Sequence, residues 1–230
     1  GEKAEHFGNI HKTYEDGERI VTTPPYTAYL KIAEGCSNGC SFCIIPKLRG
    51  RYRSRSMESL LAEAKKLADS GVKELIVVAQ DTCRYGTDFP EHKRLLPQLL
   101  RELCAIPEFH WVRVHYLYPD LIDDELIETI ASEPKIVKYL DIPVQHGASS
   151  VLKRMGRKTT RSRLEELVKK LRTQIPDITL RTSIIAGFPG ETEEEFEELC
   201  DFLESVKFDR VGVFAYSCEE GTPAAKMNGQ

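Results

Sequence analysis

Tyr29-Leu-Lys-Ile-Ala-Glu-Gly-Cys-Ser-Asn-Gly-Cys-Ser-Phe-Cys43 is a strand-like run followed at once by three cysteines, Cys36, Cys40 and Cys43, in the spacing C-x3-C-x2-C. Three thiolates this close in sequence converge on one metal centre. A closed iron–sulfur cubane takes four protein ligands, and so does a structural zinc site. The triplet supplies three. Ser37-Asn-Gly39 and Ser41-Phe42 are mostly small or turn-prone, so the backbone can wrap a cluster closely. Three ligands on a four-iron cluster leave one iron open, and an open coordination position marks a reactive metal rather than a structural one. The alternatives are a zinc knuckle completed by a His or a distant Cys, and three unconnected thiols. No His lies within a few dozen residues after Cys43, and no second C-x2-C pair occurs.

Outward from this stretch, apolar runs alternate with longer helical patterns. Strands are predicted at Ala28–Ala33, Glu74–Ala79, Trp111–Tyr116, Tyr139–Ile142, Thr179–Ala186 and Arg210–Phe214. Helices are predicted at Met57–Ser70, Arg94–Ala105, Asp123–Ser132, Arg161–Gln174 and Glu193–Val206, with Ser56 and Thr192 as caps. Strand–helix alternation argues for a parallel sheet with right-handed crossovers. The pattern alone leaves an open doubly wound sheet and a partial barrel as equal alternatives. In both, function gathers at the carboxyl ends of the strands. The cysteine triplet, Gln80-Asp-Thr82, His115-Tyr-Leu-Tyr118, Pro143-Val-Gln-His-Gly147, Gly187-Phe-Pro-Gly-Glu191 and Tyr216-Ser-Cys-Glu219 all fall there. Lys47, Arg49, Arg51, Arg53 and Arg55 recur at every second position, so an extended segment would point all five one way, as a solvated edge or as a docking surface for an anionic partner.

The triplet, with Phe42 before its last cysteine, resembles that of the radical S-adenosylmethionine (SAM) enzymes. The resemblance implies a partial (β/α)6 TIM-type barrel in which the thiolates hold a 4Fe–4S cluster and the open iron binds the amino and carboxylate groups of SAM. An electron from the cluster then cleaves the sulfonium to a 5′-deoxyadenosyl radical. It also implies SAM contacts from Phe42, from Gln80 and Asp81 where the superfamily often has Gly-Gly-Glu, and from Gln145. The stretch from Ser183, which stands in place of a glycine, to Gly187 would lie against the adenine. Arg181 is suited to pair the SAM carboxylate, or else to form a rim salt bridge with Asp141 or Asp177. His146 is read as structural rather than as a base.

Several blocks together are similar to the methylthiotransferases: Gly35–Pro46, Gly50 with Ser54-Arg55, Val78-Ala-Gln-Asp-Thr82 with Tyr85-Gly86, Pro143–Gly147 and Arg181–Thr192. Ala-Gln-Asp-Thr and Val-Gln-His-Gly resemble the RimO-type branch, which methylthiolates the β-carbon of an aspartate in a small-subunit ribosomal protein. This implies a ribosomal protein substrate, a flavodoxin-type electron donor, two SAM equivalents and a second, auxiliary 4Fe–4S cluster on a domain outside this chain. A tRNA adenosine methylthiotransferase and a plain iron–sulfur electron carrier are the rival readings.

Composition agrees with a globular domain: 230 residues, 41% hydrophobic, 30% charged, net charge −4. That charge excludes a bulk nucleic-acid binder, and no apolar run reaches the length of a membrane span. The remaining cysteines, Cys83, Cys104, Cys200 and Cys218, are dispersed and read as reduced thiols of a cytoplasmic protein. Cys83 and Cys218 are expected at the strand-end rim, with Cys83 more reactive than Cys104. The organisation expected is a leading segment over residues 1–25 and a radical SAM core over 26–230.

Overall fold

Alternation of buried and exposed side chains begins at Thr27, once the Pro24-Pro25 break is passed, and the chain from there is built of strand–helix units. The computed structural model describes residues 9–10 and 20–230, so most of the expected leading segment lies outside the described residues. In chain order the elements are β1 (Thr27–Lys31), β2 (Ala33–Glu34), α1 (Ile45–Arg49), β3 (Arg53–Ser54), α2 (Met57–Asp69), β4 (Glu74–Val78), α3 (Leu96–Cys104) and β5 (Trp111–Val114). They continue with α4 (Asp124–Ser132), β6 (Ile136–Asp141), α5 (Ser149–Arg154), α6 (Arg161–Gln174), β7 (Thr179–Ala186), α7 (Glu193–Val206) and β8 (Arg210–Ala215).

The main sheet is parallel throughout, in the order β1-β4-β5-β6-β7-β8. Each strand lies beside the one before it, with no reversal. Right-handed crossovers in such an order put every helix on the same face, whereas a doubly wound sheet needs a switch point. The sheet is therefore a six-stranded partial barrel, with β1 and β8 as its edges. Ala28, Leu30, Leu75, Val77, Val112, Val114, Leu140 and Leu180 form the buried helix-side face. The other face carries ion pairs: Arg113 to Glu74 at 2.7 Å, with its guanidinium over the Tyr139 ring, and Arg181 to Asp141 at 2.8 Å. Val211 and Val213 on β8 are exposed, since no α-helix follows this strand among the described residues.

The helices start where the caps predict. Ser56 Oγ accepts from the Ser59 amide, Asp123 from Leu126, and Thr192 with Glu195 closes a capping box. Each buries one stripe; in α2 it is Leu60, Ala64, Leu67 and Ala68. The structure departs from expectation in three places. The run from Lys47 to Arg55 is not one extended stripe: Lys47 and Arg49 lie in α1, Arg53 donates back to the Arg49 and Arg51 carbonyls, and Arg55 is buried against Glu63 at 2.6 Å. β6 begins earlier than predicted, at Ile136, with a register shift against β5. The short helix α5 and the β2–β3 hairpin carry too few residues for a periodic signal.

Two glycine and histidine contacts fix the loops at the carboxyl edge. Gly156 has φ of +72°, and a Cβ there would sit 2.4 Å from the Gly39 carbonyl oxygen. His146 is fully buried in the β6–α5 loop, and its Nδ1 accepts from the Ala148 amide at 3.0 Å. The neutral ring thus carries its proton on Nε2, 3.6 Å from Glu191 Oε1 in the β7–α7 turn, while the Phe188 amide donates to Glu191 Oε2 at 2.8 Å. Burial pushes the His146 pKa down, and the Glu191 carboxylate opposes that shift without cancelling it.

Gly156→Ala should cost about 1–3 kcal/mol, because it combines a left-handed backbone with a backbone clash. Gly39→Ala meets nothing within 4 Å and should stay within about 0.5 kcal/mol of the parent. Urea unfolding midpoints check both, and an unchanged midpoint for Gly156→Ala would remove this account of the loop. A lowered folded pKa means that the unfolded chain binds more protons as pH falls below the ordinary histidine value of about 6.5. The stability held by neutral His146 should therefore be present above about pH 6.5 and decline below it. His115, also pushed down by burial, adds in the same sense. Melting temperatures at pH 7.5 and 5.5 should show a smaller drop for His146→Gln than for the parent; equal drops would contradict the buried neutral imidazole.

Candidate metal centre

The loop from Gly35 to Ile44 contains no helix or strand of its own, only a turn at Ser41-Phe42, so its shape comes from the segments around it. Gly35, with φ of +79°, fits where a Cβ would lie 2.3 Å from the Arg51 carbonyl oxygen. The Cys36 amide donates to the Gly50 carbonyl at 3.2 Å, and the Tyr52 amide donates to Ser37 Oγ at 3.1 Å. On the other side, the Ser41 amide donates to the Met155 carbonyl at 2.9 Å, Ser41 Oγ to the Arg154 carbonyl at 2.9 Å, and the Ala224 amide to the Ser41 carbonyl at 2.8 Å. Phe42 packs against a small apolar cluster of Ala148, Val151, Met155, Phe188 and Ala224.

The loop forms one wall of a cavity of about 430 Å³ at the carboxyl ends of β1, β4, β5 and β6. Cys36, Cys40, Cys43, Phe42, Gln80 and Gln145 all line it. Gln145 reaches it from a backbone with φ of +77°, in register with Ile184 of β7. Burial pushes the Cys36 and Cys43 thiols up. Metal uptake at these two positions must therefore displace protons. Among the described residues, no three His, Cys, Asp or Glu side chains converge tightly enough for one metal ion. A single zinc needs its sulfurs about 2.3 Å from one centre, so three thiols sharing a larger cavity fit a multi-iron cluster better than a zinc knuckle. Gln80 lines this cavity, and its Oε1 atom is buried with no hydrogen-bond partner, so the site holds an unsatisfied acceptor.

Asp81, Arg181, Ser183 and Gly187 stand outside the cavity lining. Asp81 is 1% exposed, and burial pushes its carboxyl up. It accepts from Asn38 Nδ2 at 2.9 Å and pairs with Arg84 at 3.2 Å, while Arg84 Nε donates to Asn38 Oδ1 at 3.0 Å. Asp81 thus holds Asn38 of the cysteine loop. Arg181 takes the salt bridge to Asp141, one of the two partners expected for it, and is 3.4 Å from Ser183 Oγ. Gly187 has φ of +73° with open space around its missing Cβ. Cys83 is 2% exposed, and its thiol is pushed well up by burial, so its expected reactivity over Cys104 does not hold. The exposed thiols are Cys200 and Cys218.

Further residues line the same cavity, among them Asn38, Arg49, Tyr116, Tyr118 and Arg157. Tyr116 and Tyr118 were legible as strand-end residues but not as cavity walls. Arg157 comes from the α5–α6 connection, and no local pattern in Met155-Gly-Arg-Lys158 points to a site 117 residues earlier.

Residues 30–203 match the Radical SAM superfamily. The chain is 58% identical to the ribosomal protein uS12 methylthiotransferase RimO of Caldanaerobacter subterraneus subsp. tengcongensis, aligned over 100% of this chain and 52% of that protein. It is 53% identical to the protein of the same name from Geobacter sulfurreducens, over 100% of this chain and 51% of that one. The chain thus spans about half the length of the curated relatives it matches. Among solved structures, it resembles the radical SAM methyltransferase TsrM from Kitasatospora setae, with a TM-score of 0.69 and 20% identity over 86% of this chain and 38% of that one. Coproporphyrinogen III oxidase (HemN) from Escherichia coli gives a TM-score of 0.63 at 16% identity, over 89% of this chain and 48% of that chain. These two likenesses speak to the barrel. The superfamily match covers most of the sequence, and the three cysteines sit on the cavity wall at the barrel's carboxyl edge: the chain belongs to the Radical SAM superfamily.

Proposed function

We propose that Cys36, Cys40 and Cys43 hold a 4Fe–4S cluster, and that the chain is the SAM-cleaving unit of a methylthiotransferase. Its target would be the β-carbon of an aspartate in ribosomal protein uS12. The observation that carries this reading is the convergence of the three thiols and the unpartnered Gln80 acceptor on one cavity. The names of relatives more than half identical across the whole chain supply the substrate. When bound, such a cluster supplies the single electron that cleaves SAM to a 5′-deoxyadenosyl radical able to take hydrogen from an unactivated carbon.

The chain's own residues do the remaining work. Gln80 accepts from the SAM amino group, and Gln145 reaches in from the β6 end toward its ribose or carboxylate. Phe42, Tyr116 and Tyr118 give the cavity apolar walls that keep water from a radical. Asp81 and Arg84 act indirectly, by fixing Asn38 beside Cys36. Arg181 and Ser183 sit on the inner barrel face outside the cavity lining, where Asp141 holds the Arg181 guanidinium. The sulfur transferred comes from an auxiliary cluster on sequence outside this chain: the other four cysteines are two buried and two exposed thiols with no shared loop. We assign the enzyme to the cytoplasm, with a flavodoxin-type protein as electron donor; no helix among the described residues is long and apolar enough to cross a membrane.

Anaerobic reconstitution with iron, sulfide, SAM and dithionite should give 5′-deoxyadenosine. Replacing any one of Cys36, Cys40 or Cys43 by Ala should reduce it to background, whereas Cys200→Ala and Cys218→Ala should retain it. Normal iron content and cleavage in Cys40→Ala would sink the cluster assignment. In mass spectrometry of uS12, the chain alone should leave the aspartate unmodified, and a protein of the relatives' full length should add a methylthio group. Methylthiolation by the chain alone would overturn the assignment of the sulfur source.

A further inference from the structure

The cation that donates to one of the three thiols is in an unusual setting. Arg157 is 7% exposed, and its guanidinium lies 4.1 Å from the centroid of the Tyr118 ring. One terminal nitrogen donates to the Pro143 carbonyl at 2.7 Å, and the other donates to Cys40 Sγ at 3.6 Å, within range for a sulfur acceptor. Its Nε is buried with no partner. No carboxylate lies within ion-pair distance of Arg157 among the described residues; the Asp81 carboxylate meets its charge only at longer range, and its direct contacts are an aromatic face, a backbone carbonyl and a thiol. A buried guanidinium without a carboxylate is costly unless a negative charge is supplied at the site. Tyr118 is also marked by burial, its phenol pushed up to about 12 despite the adjacent cation, so the hydroxyl stays neutral.

We infer that Arg157 sets the reduction potential of the cluster bound by the three cysteines, acting through Cys40 as a positioning and tuning residue rather than a ligand. This rests on the cluster reading above. Hydrogen bonds to cluster sulfurs and the local charge are among the main determinants of iron–sulfur potentials. Reduction adds one electron from the external donor to the cluster and increases its negative charge. A cation donating to Cys40 Sγ stabilises the reduced form over the oxidised one, so it raises the potential and makes the cluster easier to reduce. Tyr118 fixes the planar fork beneath the sulfur by cation–π contact, and Pro143 fixes its other arm. A charge-assisted hydrogen bond of ordinary strength corresponds to about a tenfold bias between the two oxidation states, or about 59 mV for one electron.

The test is a redox titration of the anaerobically reconstituted protein, read by the paramagnetic signal of the reduced cluster and assigned by its loss in Cys40→Ala. Arg157→Met, which keeps the bulk and removes charge and donor, should shift the midpoint negative by the equivalent of about tenfold. Arg157→Lys should recover part of that shift, and Tyr118→Leu should move the midpoint the same way by less. Arg157→Met with full iron content and an unchanged midpoint overturns the inference, as does a lysine variant as low as the methionine one. If Arg157→Met takes up no iron, Tyr118→Leu decides: a negative shift supports the role, and an unchanged midpoint overturns it. A parent protein with no cysteine-dependent signal would instead overturn the cluster reading, and this inference with it.

Discussion

Each strand of the sheet is hydrogen-bonded to the strand that precedes it among the parallel strands, and this unbroken order governs the rest of the molecule. With right-handed crossovers, it sends all helices to one face and leaves the other free to curl. It also sets the carboxyl ends of β1, β4, β5 and β6 side by side, so that loops distant in sequence share one rim. The cavity is a consequence of that geometry: Cys36, Gln80, Tyr118 and Gln145 each stand a few residues past the end of a different strand. Nothing within the cysteine loop alone would bring them together.

The rim is held by polar contacts more than by apolar burial. Asn38 is gripped from both sides by Asp81 and Arg84, and Glu195 is drawn down to a pKa of about 2 by the Arg154 guanidinium, joining α5 to the start of α7. Each thiol has a described donor: the Asn38 amide toward Cys36, the Arg157 guanidinium toward Cys40 and the Ile45 amide toward Cys43. An anionic cluster in this cavity would thus meet a cationic neighbour at one ligand and a dipole at another.

Long periodic segments were readable from the sequence because one buried stripe or alternating face decides them. α6 and α7 lie over the predicted residues, and β7 does too. The readings that failed depend on tertiary contact. The alternating basic run read as an extended segment, a solvated edge or a docking surface for an anionic partner, yet Pro46 at the start of α1 and the buried Arg55–Glu63 pair give it a different path. Cys83 occupies a strand-end position, as predicted, but its side chain turns inward from a 3-10 turn capped by Asp81. Of the site, the cysteines and the two glutamines were legible through spacing and strand-end position. Arg157 and Asn38 were not, since what marks them is a partner more than a hundred or about forty residues away.

The bonds from Ser41 to the end of α5 and to the chain's last turn have a bearing on how the protein matures. Ser41 Oγ bonds a carbonyl 113 residues away, and Lys47, three residues past the loop, reaches the Gly221 carbonyl 174 residues on. Contacts of such sequence separation form only after the intervening chain has closed, at a large cost in loop entropy. The cysteine loop therefore gains its shape only after the last units of this barrel have closed on the first. A cluster held by Cys36, Cys40 and Cys43 would then be seated on a closed barrel rather than on a partly folded one.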